Sequence, residues 1–394
     1  GWAKRLYTKD NFGELSESPK LELRKIKYSS DGQKVVGFIY KPKVTEGKKL
    51  PVIIWNRGGI GEETKISNQN FHDIYEMYRL ANAGFVVLAS QYRGIDGGEG
   101  TDEVGGADIN DIMNLLPLAK SLPYADTENM YIWGVSRGAM MALQAVRDGL
   151  PVKAAVVVGV PSDWNEMLIS SPNLVDSIKR IWRDFDTRRE EHIKTRSAIL
   201  WADKLNVPLL ILNGADDPVT PPKMALDFAK KLEEQGKFYE LTIYAKNDHF
   251  VDQSREDRLK RTIEWFQNPR KKSIAQTLLK TIRAQNADAA VKQYQELKKT
   301  QPNLYDWSEN ELNQLGYILI NNRRLKEAVE IFKLNVEAHP NSANAFDSLG
   351  EVYAIIGERD LAIKNYRRSL DLNPQNTGAV EALKKLEGQT NKVN

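Results

Sequence analysis

The sequence contains no cysteine. A disulfide framework, a thiolate metal site and a cysteine nucleophile are therefore excluded. Histidine is nearly as scarce. His72, His192, His249 and His339 are the only four, so any imidazole base must be one of them. No apolar run approaches the length of a membrane span, and none is expected. Charge of one sign is not in large excess either: 56 Lys+Arg stand against 53 Asp+Glu, a formal net charge of +3. That balance gives no reason to expect a nucleic-acid partner or a charged membrane surface. The excess lies in residues 271–394, with 18 basic and 15 acidic side chains, while residues 1–270 hold 38 of each. A solvated helical surface accounts for it. No metal-ligand spacing occurs. Residues 94–106 are glycine-rich but lack the Lys-Ser/Thr ending of a phosphate-binding loop. No cofactor and no metal are expected.

What is present suits two domains, since 394 residues exceed one typical domain. The chain opens on Gly1-Trp2 rather than Met. The compartment stays open, with a secreted or periplasmic location after removal of a signal peptide among the readings.

The most informative stretch is Gly134-Val135-Ser136-Arg137-Gly138. It follows the apolar run 130–133 and precedes the helix-like 139–143. A strand, a tight Gly-x-Ser-x-Gly turn and a helix form the context of a nucleophile elbow. The glycines let strand and helix approach, and the serine oxygen is exposed at a helix N-terminus that stabilises an oxyanion. The alternative is an ordinary structural turn. His249 and an acidic pair argue against it. His249 lies in a loop after the strand-like 240–244, and Asp216-Asp217 follow the apolar run 209–212. The order Ser, Asp, His, each just past a strand, is that of the α/β-hydrolase triad.

Short apolar runs at 52–55, 85–89, 130–133, 154–160, 208–212 and 238–244 alternate with helical patterns at 71–83, 107–118, 139–147 and 222–235. Two further strands flank the turn Ser29-Ser30-Asp31-Gly32 within 21–41. This alternation predicts an α/β fold, a mostly parallel sheet covered on both faces. Segment 161–203 interrupts it with a helical insertion carrying Trp164, Met167, Ile178, Ile181 and Trp182. It is expected over the strand C-termini, either as a lid or substrate wall, or with its aromatics in the core.

Beyond residue 270 every segment reads helical, and a period of 34 residues appears. Leu315-Gly316 recurs as Leu349-Gly350, Ala328 as Ala362, Phe332 as Tyr366 and Pro340 as Pro374. This is the tetratricopeptide period and its packing positions. A poorer copy carries Ala290, Tyr294 and Pro302, and 380–386 reads as a capping helix. The expected organisation is an N-terminal extension over 1–20, an α/β-hydrolase domain over 21–268 and an all-α repeat domain over 271–394.

Residues 20–268 resemble the catalytic domain of the prolyl oligopeptidase family of serine peptidases. The motifs run in the family's order: Trp55-Asn56-Arg57-Gly58-Gly59, Gln91-Tyr92-Arg93-Gly94, the Ser136 elbow, Arg196-Ser197-Ala198, Gly214-Ala215-Asp216-Asp217-Pro218-Val219 and Asp248-His249-Phe250. The resemblance implies Ser136 as nucleophile, His249 as base and Asp217 as orienting acid, with Asp216 the competing choice. The Arg137 backbone N–H is the first implied oxyanion donor. Family members often place a tyrosine hydroxyl before the glycine pair as the second donor. Here Arg57 stands in that position, and either its backbone N–H or its guanidinium would serve. Family peptidases carry a β-propeller before the catalytic domain, and residues 1–20 show no run of short strands. The implied activity is acyl transfer to water, on a peptide or a small ester. The implied partner role of 271–394 is protein binding or self-association. A binding protein on an inert hydrolase fold is the alternative.

Overall fold

Short, continuously buried apolar runs make the central strands of this chain. In the computed structural model, which describes residues 20–43, 47–67, 71–268 and 271–388, the chain divides into two compact units, Gly1–Arg270 and Lys271–Asn394. In the first unit eight strands form one sheet: β1 (Leu21–Ser30), β2 (Gln33–Pro42), β3 (Leu50–Asn56), β4 (Val86–Ser90), β5 (Ala125–Val135), β6 (Ala155–Val158), β7 (Leu209–Gly214) and β8 (Tyr239–Tyr244). Their order is β1-β2-β4-β3-β5-β6-β7-β8. Only β2 runs against its neighbours; β4 through β8 are parallel.

A parallel sheet must bury both faces, because its crossover helices lie on both. Val52, Ile54, Val86, Leu88, Ile132, Val157 and Ile211 enter one core cluster. Ile53, Trp55, Val87, Ala89, Trp133, Val156 and Leu212 enter the other. Period-two alternation thus sends successive residues of one strand to opposite cores. Trp55 and Trp133, register partners on β3 and β5, stack with centroids 5.2 Å apart.

One sequence expectation takes a different form here, and another, left between two readings, falls to one of them. The single helix expected over 107–118 is two short ones, Ile109–Met113 and Leu115–Ser121. Pro117 has no N–H to offer the Met113 carbonyl, so the first helix cannot continue across it. The Asn114 side chain bonds back to the Asn110 carbonyl at 2.8 Å at the break. The insertion forms three helices, Trp164–Ser170, Pro172–Ile181 and Phe185–Arg196. Trp164, Met167, Ile178 and Trp182 are buried in the first core cluster, and Ile181 packs against it. The aromatics of the insertion therefore serve the core.

In the second unit, helix pairs are spaced by the sequence repeat: Glu309–Asn321 with Leu325–Ala338, then Ala343–Ile355 with Arg359–Leu372, closed by Thr377–Gly388. The poorer copy is Ile274–Ala284 with Ala287–Thr300. The small residues now have a physical meaning. A Cβ on Gly316 would lie 2.3 Å from Phe332 Cζ, and one on Gly350 3.0 Å from Tyr366 Cδ1. Each glycine admits the aromatic ring sixteen residues later, while Ala328 and Ala362 are fully buried. The expected extension over 1–20 lies outside the described residues except for Lys20, as do Pro269 and Arg270 of the expected linker.

Candidate active site

Ser136 directly follows β5 and caps helix Arg137–Arg147 with φ 55 and ψ −125. A non-glycine residue at positive φ is costly and persists only where its surroundings fix it. The two motif glycines do that fixing. A Cβ on Gly134 would meet the Gly138 carbonyl at 2.2 Å, and one on Gly138 the Asn56 carbonyl at 2.2 Å. The Ser136 N–H donates to the Val158 carbonyl at 2.8 Å, which ties the elbow to the end of β6.

The same strand end meets the histidine. Gly159 follows Val158 with φ +54, and a Cβ there would lie 3.0 Å from both Cε1 and Nδ1 of His249. Ser136 and His249 are thus brought to one place across the residues that close β6. His249 is buried, and its Nδ1 lies 2.8 Å from Asp217 Oδ2. Its Nε2 is buried with no hydrogen-bond partner among the described residues. Nδ1–H donating to a carboxylate leaves Nε2 as an acceptor, the tautomer a general base needs.

Asp217 is held from several sides. Its Oδ1 accepts the Val219 and Thr220 backbone N–H groups at 2.8 and 2.9 Å. Its Oδ2 accepts the Thr220 hydroxyl at 2.7 Å as well as His249. Burial would raise this carboxyl. The His249 hydrogen bond and charge, with the Thr220 bonds, outweigh burial and keep it below the usual carboxylate range. Asp216 is exposed, and its N–H donates to the Asn247 carbonyl. Of the two acids, the structure joins Asp217 to the histidine.

The Arg137 backbone N–H opens its helix, where no intrahelical acceptor exists for it. The Arg137 side chain points elsewhere. It pairs with Asp102 and reaches Asp108 Oδ2 at 2.6 Å, nearly fully buried. Burial alone would lower its guanidinium; the two carboxylates raise it instead. Arg57 is fully buried. Its Nη2 and Nε donate to the Gln91 carbonyl at 2.8 and 3.2 Å, and its Nη1 to Thr64 Oγ1 at 3.0 Å and the Gly58 carbonyl at 3.1 Å. Burial and then the Arg137 charge lower its pKa. Gly58, next in sequence, is where a Cβ would come within 3.3 Å of Ser136 Cβ.

Sequence reasoning missed Thr220, Asp102 and Asp108, and gave Tyr92 no role beyond its place in the motif Gln91-Tyr92-Arg93-Gly94. Thr220 stands three residues after Asp217, the spacing at which a hydroxyl folds back on a turn carboxylate. That spacing was a usable signal. Asp102 and Asp108 carry none, because their role depends on the charge of Arg137 across the fold. Among the described residues no group of three His, Cys, Asp or Glu side chains is arranged to hold a metal ion.

The model of the prolyl oligopeptidase family matches residues 70–273, just over half of the chain, and a tetratricopeptide-repeat model matches residues 343–376. The uncharacterized peptidase YtmA of Bacillus subtilis is 26% identical over 255 residues, covering 64% of this chain and 96% of the relative. A probable dipeptidyl-aminopeptidase B of Paracoccidioides lutzii is 25% identical, over 53% of this chain and 23% of that protein. Among solved structures, the acylaminoacyl peptidase of Pyrococcus horikoshii superposes with a TM-score of 0.55 at 23% identity, covering 66% of this chain and 44% of that one. The Pyrococcus furiosus esterase Pf2001 superposes at 0.50 and 16% identity, over 66% of this chain and 95% of that one. These structures share the fold. The chain spans nearly all of YtmA and of the esterase, but under half of the dipeptidyl-aminopeptidase and acylaminoacyl peptidase chains.

Proposed function

The chain belongs to the prolyl oligopeptidase family, and on that premise we propose that it is a serine hydrolase cleaving acyl bonds through Ser136, His249 and Asp217. Ser136 Oγ attacks the acyl carbonyl. Its proton passes to His249 Nε2, which then returns it to the leaving group. Asp217 holds the imidazole tautomer and stabilises the imidazolium. Water, activated by the same histidine, releases the acyl group from the serine. The oxyanion falls to the backbone N–H of Arg137, and to that of Arg57 rather than to the Arg57 guanidinium, which is spent on carbonyl and hydroxyl acceptors.

The observation that carries the reading is the buried Asp217–His249 pair, 2.8 Å apart. The imidazole, its Nε2 without a partner among the described residues, lies against Gly159, next to the β6 end that holds the strained Ser136. The substrate is a small acyl compound, an ester or a short peptide. The repeats of residues 271–394 serve binding of a protein partner or of a second copy, as stacked helical arrays do elsewhere. A fluorophosphonate probe tests the reading. It labels the wild-type chain and leaves Ser136→Ala unlabelled; labelling that survives the substitution removes Ser136 as nucleophile. Activity that survives in His249→Ala removes the base.

A further inference from the structure

Tyr92 is fully buried and takes no part in the chemistry described above. Its backbone is at φ 67, a costly conformation held in place by its N–H bond to Ser90 Oγ at 2.9 Å. Two guanidinium groups lie over its ring, Arg57 at 4.8 Å and Arg137 at 4.3 Å from the centroid. Its hydroxyl donates to the Arg57 carbonyl at 3.1 Å. These two arginines are the residues whose backbone N–H groups are proposed to receive the oxyanion. One follows Ser136 directly. The other precedes Gly58, whose α-carbon faces the Ser136 side chain.

The ring also answers an electrostatic difficulty. Arg57 is a buried cation, and no carboxylate among the described residues lies within hydrogen-bonding reach of it. Burial of such a charge is expensive unless other groups compensate it. Carbonyls, the Thr64 hydroxyl, the face of Tyr92 and the more distant charges of Asp102 and Asp73 do so, and a cation over a ring gains more when both are desolvated. Arg137 is anchored from the far side. Asp108, which pairs with it, accepts the Gly105 and Gly106 N–H groups at 3.1 and 2.7 Å. The glycine-rich loop, left without a role by the sequence, thus braces the residue after the nucleophile.

We infer that Tyr92 is a positioning residue that locks the Arg57–Gly58 segment to Arg137 and so fixes the spacing of the two oxyanion donors. The inference rests on the hydrolase reading. Preorganised donors are worth far more than mobile ones, and losing one costs about a hundredfold to a thousandfold in kcat. Misplacement by about an ångström costs about a hundredfold.

The test uses the full chain, p-nitrophenyl acetate as substrate and a trifluoromethyl ketone as transition-state analogue. When the ketone binds, the Ser136 Oγ–carbon bond forms and the carbonyl electron pair moves to oxygen. The hydroxyl proton passes to His249 Nε2, so the adduct carries the oxyanion the donors must hold. Tyr92→Leu lowers kcat by about a hundredfold, leaves KM within about twofold and weakens the ketone in parallel with kcat. Tyr92→Phe keeps the ring and loses one hydroxyl bond, for a drop of about fivefold. If Tyr92→Leu does not fold, Arg57→Met removes the cation from a ring left in place and must show the same split. An unchanged kcat in a folded Tyr92→Leu, or in Arg57→Met, overturns the inference, as does a fall that lies in KM alone. Turnover that survives Ser136→Ala overturns the hydrolase reading itself, a result distinct from either.

Discussion

Nδ1 of His249 stands 2.8 Å from Oδ2 of Asp217, while Asp216, its neighbour in sequence, faces solvent. The two acids differ only in where the turn after β7 sends them. Asp217→Asn replaces the acceptor with an amide and favours the wrong imidazole tautomer. Its kcat should fall by about four orders of magnitude. Asp216→Asn should stay within about threefold of wild type, as an exposed carboxylate with no catalytic contact. The ratio of kcat/KM for the two variants on one ester decides; the reverse ranking moves the role to Asp216.

Esters should be the better substrates. An alcohol leaving group needs less help from the protonated histidine than an amine does. Short acyl esters should therefore turn over readily, with peptides slower and limited to small ones. Efficient proline-specific endopeptidase activity without measurable esterase activity would contradict this.

Truncation after residue 270 cuts between the two compact units. All three proposed triad residues precede the cut. The shortened chain should remain soluble and keep its turnover of a small chromogenic ester. A truncated protein that is folded by circular dichroism yet inactive on that ester would mean that the repeats complete the site.

The two repeat glycines should respond unequally to alanine. At Gly316 the new Cβ would stand 2.3 Å from the fully buried Phe332 ring. Overpacking of that kind costs about 1–3 kcal/mol. At Gly350 the nearest atom of Tyr366 is 3.0 Å away, and the higher helix propensity of alanine offsets up to about 1 kcal/mol. Urea unfolding of the full chain should therefore rank Gly316→Ala well below Gly350→Ala. Equal stability of the two variants would show that Phe332 yields as easily as Tyr366.

His72 gives the first unit a pH signature away from the triad. Its Nε2 lies 3.2 Å from Asp252 Oδ1 and its Nδ1 3.3 Å from Asp73 Oδ1. Burial opposes the charged ring, but Asp252, Asp73 and Glu76 overcome it and raise the imidazole to about 10. The folded value lies above the unfolded one of about 6.5. The stabilisation is therefore complete below about 6.5 and is lost as pH rises through about 10. The stability gap between wild type and His72→Asn should be widest in mild acid and close in strong base. A gap that stays constant from pH 6 to pH 10.5 would show that His72 is neutral in the folded chain.

Much of this protein was determined by sequence alone, because its decisive signals are local. The Gly134-to-Gly138 turn fixes its own strained backbone, since only glycines fit where strand, helix and the β3 end touch. The 34-residue period is a packing rule written along the chain, each glycine making room for a ring sixteen residues on. Apolar runs alternating with helical patterns sufficed for a parallel sheet. What the sequence left open was decided by groups far apart in the chain. Asp216 and Asp217 are alike until His249 arrives at one of them, thirty-two residues later. Arg57 could have offered its guanidinium until Gln91 and Thr64 took it. The aromatics of the insertion could have lined a site until Trp182 met Trp164 and Arg196 inside the core. Tyr92 stood in a local motif that said nothing of its role, and Asp102 and Asp108 carried no local signal, because the charges they answer are on residues that only the folded sheet brings near.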